Sequence, residues 1–453
     1  MTPGHNALHG ATADVGDLEA NVLGFLRQRL ASAPLGRSVP QSAIEVLLNG
    51  SITAQGLGST EAWRRLTEIV VANTIGIDSD RFLAFIPVVP AVAGVWADAI
   101  VGATSMPAES SLEAAGAVAA ENQTLRFLAG LAGMPPAAGG CFMSGGSIGN
   151  LSALAVAREQ QPLRRRVAVA DTAHASIYNT LHLLGLSALV VATDSSGRFT
   201  GAGLRAALDD LDNAVGGDDI GIVVAAAGST NAGVIDDLDG LADVASALGA
   251  WFHVDAAYGG AALLLPEYAE RLSGIGRADS FIIDPHKWLF APAGSCALIY
   301  REPSLAALVH TQHGPYIDVL RVNGDEWNPS DFGYQLTRRA SGVPLWFTLV
   351  LHGSDALAAA IRRGLQLAQY AAQQLAAAGP LVSLVHEPEL AVVLFRRDGW
   401  GSREWAAWAA RLLKAGVAFV APTTWRGEPV GRLVFMHPLT QLSLIDEIVA
   451  SLS

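Results

Sequence analysis

Between Val167 and Tyr300 six short apolar runs alternate with stretches of helical periodicity: Val167-Ala168-Val169, Leu189-Val190-Val191, Ile222-Val223-Val224-Ala225, Trp251-Phe252-His253-Val254, Phe281-Ile282-Ile283 and Ala297-Leu298-Ile299-Tyr300. Runs that are apolar at nearly every position, rather than at alternate ones, leave no face for water, so they predict a mostly parallel sheet covered by helices on both sides. In such a sheet ligands sit where the carboxyl ends of strands hand over to loops. The polar residues just beyond each run are therefore the ones to inspect.

The flanking sequence has a different rhythm. Residues 1 to about 15 are patternless and read as a disordered arm. Asp17 to Leu30 and Thr60 to Asn73 place apolar residues at helical spacing ahead of any sheet unit, and a partner subunit is one candidate to cover them. Arg81 to Pro90 is aromatic and proline-rich, cannot be helical throughout, and reads as a pocket wall or linker. A helix over Ser111 to Leu131 is stopped by Pro135-Pro136. From Leu345 a second pattern begins: helix through Leu351 to Ala378, a strand-like Leu390 to Phe395, a Trp-rich helix from Ser402 and a last helix from Ser443. The expected organisation is an N-terminal helical segment (1–80), a large ligand-binding domain (81–344) and a small C-terminal α/β domain (345–453).

Charge and cysteine content remove several classes. A net charge of −13 without a basic stripe, Arg164-Arg165-Arg166 apart, argues against a nucleic-acid partner. Two cysteines, Cys141 and Cys296, make neither a disulfide framework nor a zinc cluster, which points to a cytoplasmic address. No uninterrupted apolar run approaches 18 residues and the first twenty carry Asp14, Asp17 and Glu19, so neither membrane insertion nor secretion is expected.

Of the 29 basic side chains only Lys287 and Lys414 are lysines. An amine that sheds its proton when desolvated can form a Schiff base with a carbonyl, which a guanidinium cannot do. A lone lysine at a strand end more often snorkels to solvent; partners decide between the two readings. Ser144-Gly145-Gly146-Ser147 opens onto a helix, where bare backbone N–H groups and the Ser147 hydroxyl suit a phosphate. No G-x-G-x-x-G or Walker-type loop is present, which disfavours nicotinamide cofactors and ATP. His174, just past a strand, could stack on a flat ring or be an ordinary core histidine. Asp255 ends an apolar strand, where a carboxylate needs a cation such as a protonated pyridine nitrogen, and small Ala257 would let a ring lie against the backbone. Phosphate cradle, stacking imidazole, carboxylate and amine together describe a site for pyridoxal 5′-phosphate (PLP).

These stretches, with Ala173-His174-Ala175-Ser176, His253-Val254-Asp255-Ala256-Ala257-Tyr258-Gly259-Gly260, Asp284-Pro285-His286-Lys287-Trp288-Leu289 and the C-terminal His437-Pro438-Leu439-Thr440, resemble the group II PLP-dependent decarboxylases of aromatic amino acids, histidine and glutamate. The resemblance spans about residues 60 to 445. It implies an aspartate-aminotransferase-like fold (PLP fold type I) with a seven-stranded sheet, and a homodimer with its active site at the interface. By the same match Lys287 holds the cofactor, Asp255 meets the ring nitrogen, His174 covers the ring face, Thr230 supports His174 and Asp255, and Gly146, Ser147, Ala257 and His286 complete the cofactor site. The implied reaction is decarboxylation of an L-amino acid. Phe85, Ile86 and Pro87 fall where the family lines its side-chain pocket, and their apolar character favours an aromatic or bulky aliphatic substrate. The family's mobile loop corresponds to about His310 to Arg339 and normally carries a proton-donating tyrosine. Here Phe332 or Pro329 falls near that place, with Tyr316 and Tyr334 close by, and Tyr334 is the candidate for the role. A phenylalanine there raises a competing reading, an oxidative decarboxylase releasing an aldehyde. A non-catalytic PLP-binding protein is the reading outside enzymology.

Overall fold

The computed structural model describes residues 13–215, 219–318 and 327–453. The six expected strands form, as β2 (Arg166–Ala170), β3 (Ser187–Val191), β4 (Ile220–Ala226), β5 (Trp251–Asp255), β6 (Ser280–Ile283) and β7 (Cys296–Tyr300). A further strand, β1 (Gly139–Met143), completes a seven-stranded sheet in the order β1-β7-β6-β5-β4-β2-β3. Only β7 runs against its neighbours, antiparallel to both β1 and β6. Strand β1 ends at Met143 and α6 begins at Gly146, so the expected Gly/Ser loop is confined to Ser144-Gly145, with Gly146 and Ser147 already in the helix.

Helices precede and cover the sheet. The N-terminal segment comprises α1 (Ala13–Ala31), α2 (Gln41–Leu48) and α3 (Ser59–Arg64), the last continuing through a π turn; the reading of residues 1 to about 15 as a disordered arm concerns residues 1–12 outside the described ones, and Ala13 onward is helical. Then follow α4 (Val92–Ala103), α5 (Ser111–Leu131), α6 (Gly146–Gln160), α7 (Ala175–Leu184), α8 (Gly201–Val215), α9 (Leu238–Leu248), the one-turn α10 (Ala269–Leu272) and α11 (Pro303–His310). Strand residues alternate between two buried clusters. Val167, Val169, Ile222, Val224, Ile282 and Leu298 meet α6, α7 and α11 on one face, while Ala168, Val223, Phe252, Val254, Phe281 and Ile299 meet α5 and α9 on the other. Burial on both faces is what the uninterrupted apolar runs require.

The C-terminal part has α12 (Val343–Ala377), β8 (Val382–Leu384), β9 (Val392–Arg397), α13 (Ser402–Lys414), β10 (Thr423–Trp425), β11 (Glu428–Val434) and α14 (Leu442–Ala450). Its strands form an antiparallel sheet in the order β10-β11-β9-β8. Edge-to-face contacts among Phe395, Trp400, Trp405 and Trp408, with centroids 4.9–6.1 Å apart, fill its core. By length and composition α12 is the one described helix that could cross a bilayer. It is broken at Gly353 (φ 76°, ψ 166°), and beyond the break it carries Asp355, Arg362 and Arg363 while burying Leu357, Ile361, Leu365 and Leu367 in the protein core. Those are the features of a core helix.

Beneath β1, Glu121 of α5 is almost wholly buried and accepts a hydrogen bond from Gly342 N–H (2.8 Å), while its second oxygen has no partner among the described residues. Burial pushes its pKa up to about 7. The unfolded chain then ionises this carboxyl from about pH 4.5 while the folded chain holds the proton. Its contribution to stability is present below that pH and lost as pH rises through about 7. Glu121→Gln, which keeps the bond to Gly342, is expected to raise Tm at pH 8 and leave it almost unchanged at pH 4.5. Thermal melts across that range check both.

Candidate active site

The carboxyl ends of β2, β4, β5 and β6 and the amino end of α6 enclose a cleft of about 510 Å³. Lys287, Asp255, His174, Thr230, Ala257, His286, Gly146 and Ser147 all line it. Asp255 and Lys287 come together because β5 and β6 are parallel neighbours, with Asp255 opposite Ile282, and a buried aromatic pair one to three residues further along ties the two loops. Tyr258 and Trp288 stack at 5.2 Å and 23°, and Tyr258 Oη accepts the Ala391 N–H (2.7 Å) from beneath the small sheet.

Lys287 keeps a fifth of its side-chain surface and donates from Nζ to Asp284 Oδ2 at 3.1 Å. Burial alone would lower its pKa; the carboxylates of Asp284 and Asp255 outweigh burial and hold it above the ordinary lysine value. The expectation that desolvation frees the amine is thus corrected for this arrangement. The ammonium is the resting form, and its nearest proton acceptor is Asp284. That residue, 2% exposed, was not singled out from sequence. Its Oδ1 has no described partner, and a Cβ on Gly146 would stand 2.8 Å from its Oδ2, so only glycine lets α6 begin this close to it.

Asp255 Oδ1 accepts the Ala257 N–H (3.2 Å) and Oδ2 accepts from Asn150 Nδ2 (3.0 Å). The support expected of Thr230 is supplied by Asn150 instead. Thr230 lines the cleft and gives its main-chain carbonyl to Arg432 (2.7 Å), whose guanidinium also holds the Phe85 and Asn231 carbonyls at 3.0 Å. With three neutral acceptors and no carboxylate, burial pulls Arg432 down to about 10. His174 caps α7: its Nδ1 accepts from Ser176 N–H (3.2 Å) and lies 2.8 Å from Ser176 Oγ, which leaves Nε2 to the cleft. His286 Nδ1 lies against the main chain of Ser295, 2.5 Å from its carbonyl oxygen and 3.2 Å from its N–H.

The residues present fit PLP. Ser147 is exposed at the start of a 15-residue helix, and among the described residues none accepts from the Gly146 or Ser147 amides, so the cradle has donors to offer an anion. Asp255 has a free edge for a ring nitrogen, and Ala257 presents only a methyl group.

Other expected residues lie elsewhere. Val88 lines the cleft, but Phe85, Ile86 and Pro87 do not. Phe85, at φ 51° and 59% exposed, instead joins Phe82 and Phe419 in an aromatic cluster with centroids 5.0–6.3 Å apart. Tyr334 is 67% exposed and borders a separate hollow with His310 and Gln335, outside this cleft. Phe332 is buried, stacked on Trp327 at 4.1 Å, and so occupies the core rather than a reacting position. The stretch matched to the family's mobile loop packs on this chain from Trp327 onward, with Ser111 Oγ donating to the Trp327 carbonyl (2.6 Å); residues 319–326 of it lie outside the described ones.

Comparison with known proteins agrees with this geometry. Residues 66–398 match the pyridoxal-dependent decarboxylase conserved domain. An aromatic-L-amino-acid decarboxylase of Bacillus atrophaeus is 31% identical over 376 residues, 81% of this chain and 78% of that protein. An L-2,4-diaminobutyrate decarboxylase of Rhizobium meliloti (strain 1021) is 30% identical over 407 residues, covering 87% and 81%. The crystal structure of Oryza sativa TDC with PLP and tryptamine superimposes with a TM-score of 0.89 over 100% of this chain and 99% of that one at 23% identity, which supports the type I fold. The chain belongs to the pyridoxal-dependent decarboxylase family, as an amino-acid carboxy-lyase whose cofactor is PLP.

Proposed function

We propose that this enzyme decarboxylates an aromatic or bulky apolar L-amino acid to the amine, with Lys287, Asp255 and His174 as its working residues. Bound in the cleft, the pyridinium ring supplies the sink for the electron pair released when the bond from Cα to the carboxylate breaks. Asp255 would meet the ring nitrogen, His174 would cover a ring face, and Lys287 Nζ, with Asp284 Oδ2 3.1 Å away, would move protons at the reacting carbon. Which bond breaks depends on which one the site holds perpendicular to the ring.

The substrate class rests on the two guanidinium groups near the expected side-chain pocket: Arg432 is taken up by the Thr230, Asn231 and Phe85 carbonyls, which leaves Arg81. Its guanidinium is held by the Val417 carbonyl (3.1 Å), away from the cleft, while Val88 faces in. A buried acidic side chain without a basic partner is costly. We include in the proposal a homodimer, because α1, α2, α4 and α12 expose Leu23, Val46, Leu47, Ile100, Val350 and Leu351. Carbon dioxide release from all twenty amino acids plus 2,4-diaminobutyrate, with peroxide and ammonia measured alongside, tests the reading. Tryptophan, phenylalanine, tyrosine or leucine should lead, with no peroxide. Faster turnover of glutamate or diaminobutyrate would overturn the substrate class, and stoichiometric peroxide would favour the aldehyde-forming reaction.

A further inference from the structure

A chain of buried hydrogen bonds reaches Asp255 along the α6-covered face of the sheet, from the amino end of β5, and its direction can be read from its ends. Trp251 Nε1 can only donate, and it does so to Ser280 Oγ at 2.9 Å. The Ser280 hydroxyl is then free to donate to His253 Nδ1 (2.8 Å), which places the imidazole proton on Nε2, 2.9 Å from Asn150 Oδ1. That contact fixes the Asn150 amide, so its Nδ2 must face Asp255 Oδ2 at 3.0 Å, and the carboxylate can only accept. The second Nδ2 proton points to Ser176 Oγ (3.3 Å), the hydroxyl that meets His174 Nδ1. Asn150, His253 and Ser280 are each at most 1% exposed, and Asn150 sits inside a helix, where an amide side chain has no intrinsic advantage. Burial holds His253 neutral, with a pKa lowered to about 4, as the single-proton chain requires.

We infer that Asn150 is a positioning residue for the cofactor: it turns the Asp255 carboxylate so that one edge meets the pyridine nitrogen, and it is itself held by the one-way chain from Trp251 through Ser280 and His253. This rests on the reading of Asp255 given above. A satisfied polar network of this kind specifies one orientation, because every alternative leaves a buried group unpaired.

The test compares the affinity of apoprotein for PLP and for an analogue whose ring nitrogen is replaced by CH. Wild type should prefer PLP on the order of 10- to 100-fold, the range for a hydrogen bond to a charged group. Asn150→Leu, which approximates the shape, should reduce that preference to within about threefold of unity while binding the analogue as wild type does. Asn150→Ala, which adds no bulk, carries the comparison if circular dichroism shows the leucine variant unfolded. Variants that keep the full preference, or that lose affinity for both ligands equally, would overturn the inference and leave the role of Asp255 standing. A wild type with no preference would overturn both.

Discussion

Replacing Lys287 with alanine is expected to lower kcat for decarboxylation on the order of 10⁴-fold, the upper range for loss of a positioned acid–base group. The cleft offers no substitute: the other amine, Lys414, is in α13 of the small domain, and His286 is tied to Ser295. Removing Nζ also strips Asp284 of its 3.1 Å ion pair, leaving only His286 Nε2 at 3.9 Å beside a nearly buried carboxylate at the phosphate cradle. The variant should therefore bind PLP more weakly as well as turn over more slowly, and a small added amine should recover part of the rate but none of the anchoring. Steady-state carbon dioxide release and cofactor retention after gel filtration read the two effects separately. An alanine variant with a tenth of wild-type turnover would contradict the assignment.

The second large effect is expected at Asp255. Asp255→Asn keeps the shape and can still accept the Ala257 N–H, but it removes the charge that meets a protonated ring nitrogen. A preorganised electrostatic group of this kind is worth on the order of 10²- to 10³-fold in kcat. Because the Asp255 carboxylate helps to hold Lys287 above the ordinary lysine value, the same substitution should lower the pKa of that amine. The predicted pair of results is a collapse in kcat with little change in KM, and a downward shift of the basic limb of the pH profile. Loss of KM alone would assign Asp255 to substrate binding.

The parts of this site legible in the sequence are those dictated by strand ends. Lys287, Asp255 and His174 each follow an unbroken apolar run, and a polar residue in that place has few structural reasons to exist. Strand β1 escaped because Gly139-Gly140-Cys141 lacks the β-branched residues that mark a strand. The reversal of β7 was legible in principle: residues 284–295 join β6 to it without a helix, whereas a parallel return usually runs through one. Asn150 was not legible as functional, because its partners Asp255 and His253 lie far along the chain; Asp284, directly after β6 and three residues from Lys287, met the strand-end criterion and was passed over. In the segment matched to the family's mobile loop, Trp327 and Phe332 stack on each other and pack against β1, contacts between residues nearly 200 positions apart that no local pattern announces.

The central claim is that this cleft carries PLP on Lys287. Borohydride reduction of the PLP-loaded protein, followed by proteolysis and mass spectrometry of the peptides, tests it without reference to substrate. The account predicts a pyridoxyl-phosphate mass on the peptide containing Asp284-Pro285-His286-Lys287-Trp288, located on Lys287, and none on Lys414. A label on Lys414, or PLP bound with no reducible attachment to any lysine, would contradict it.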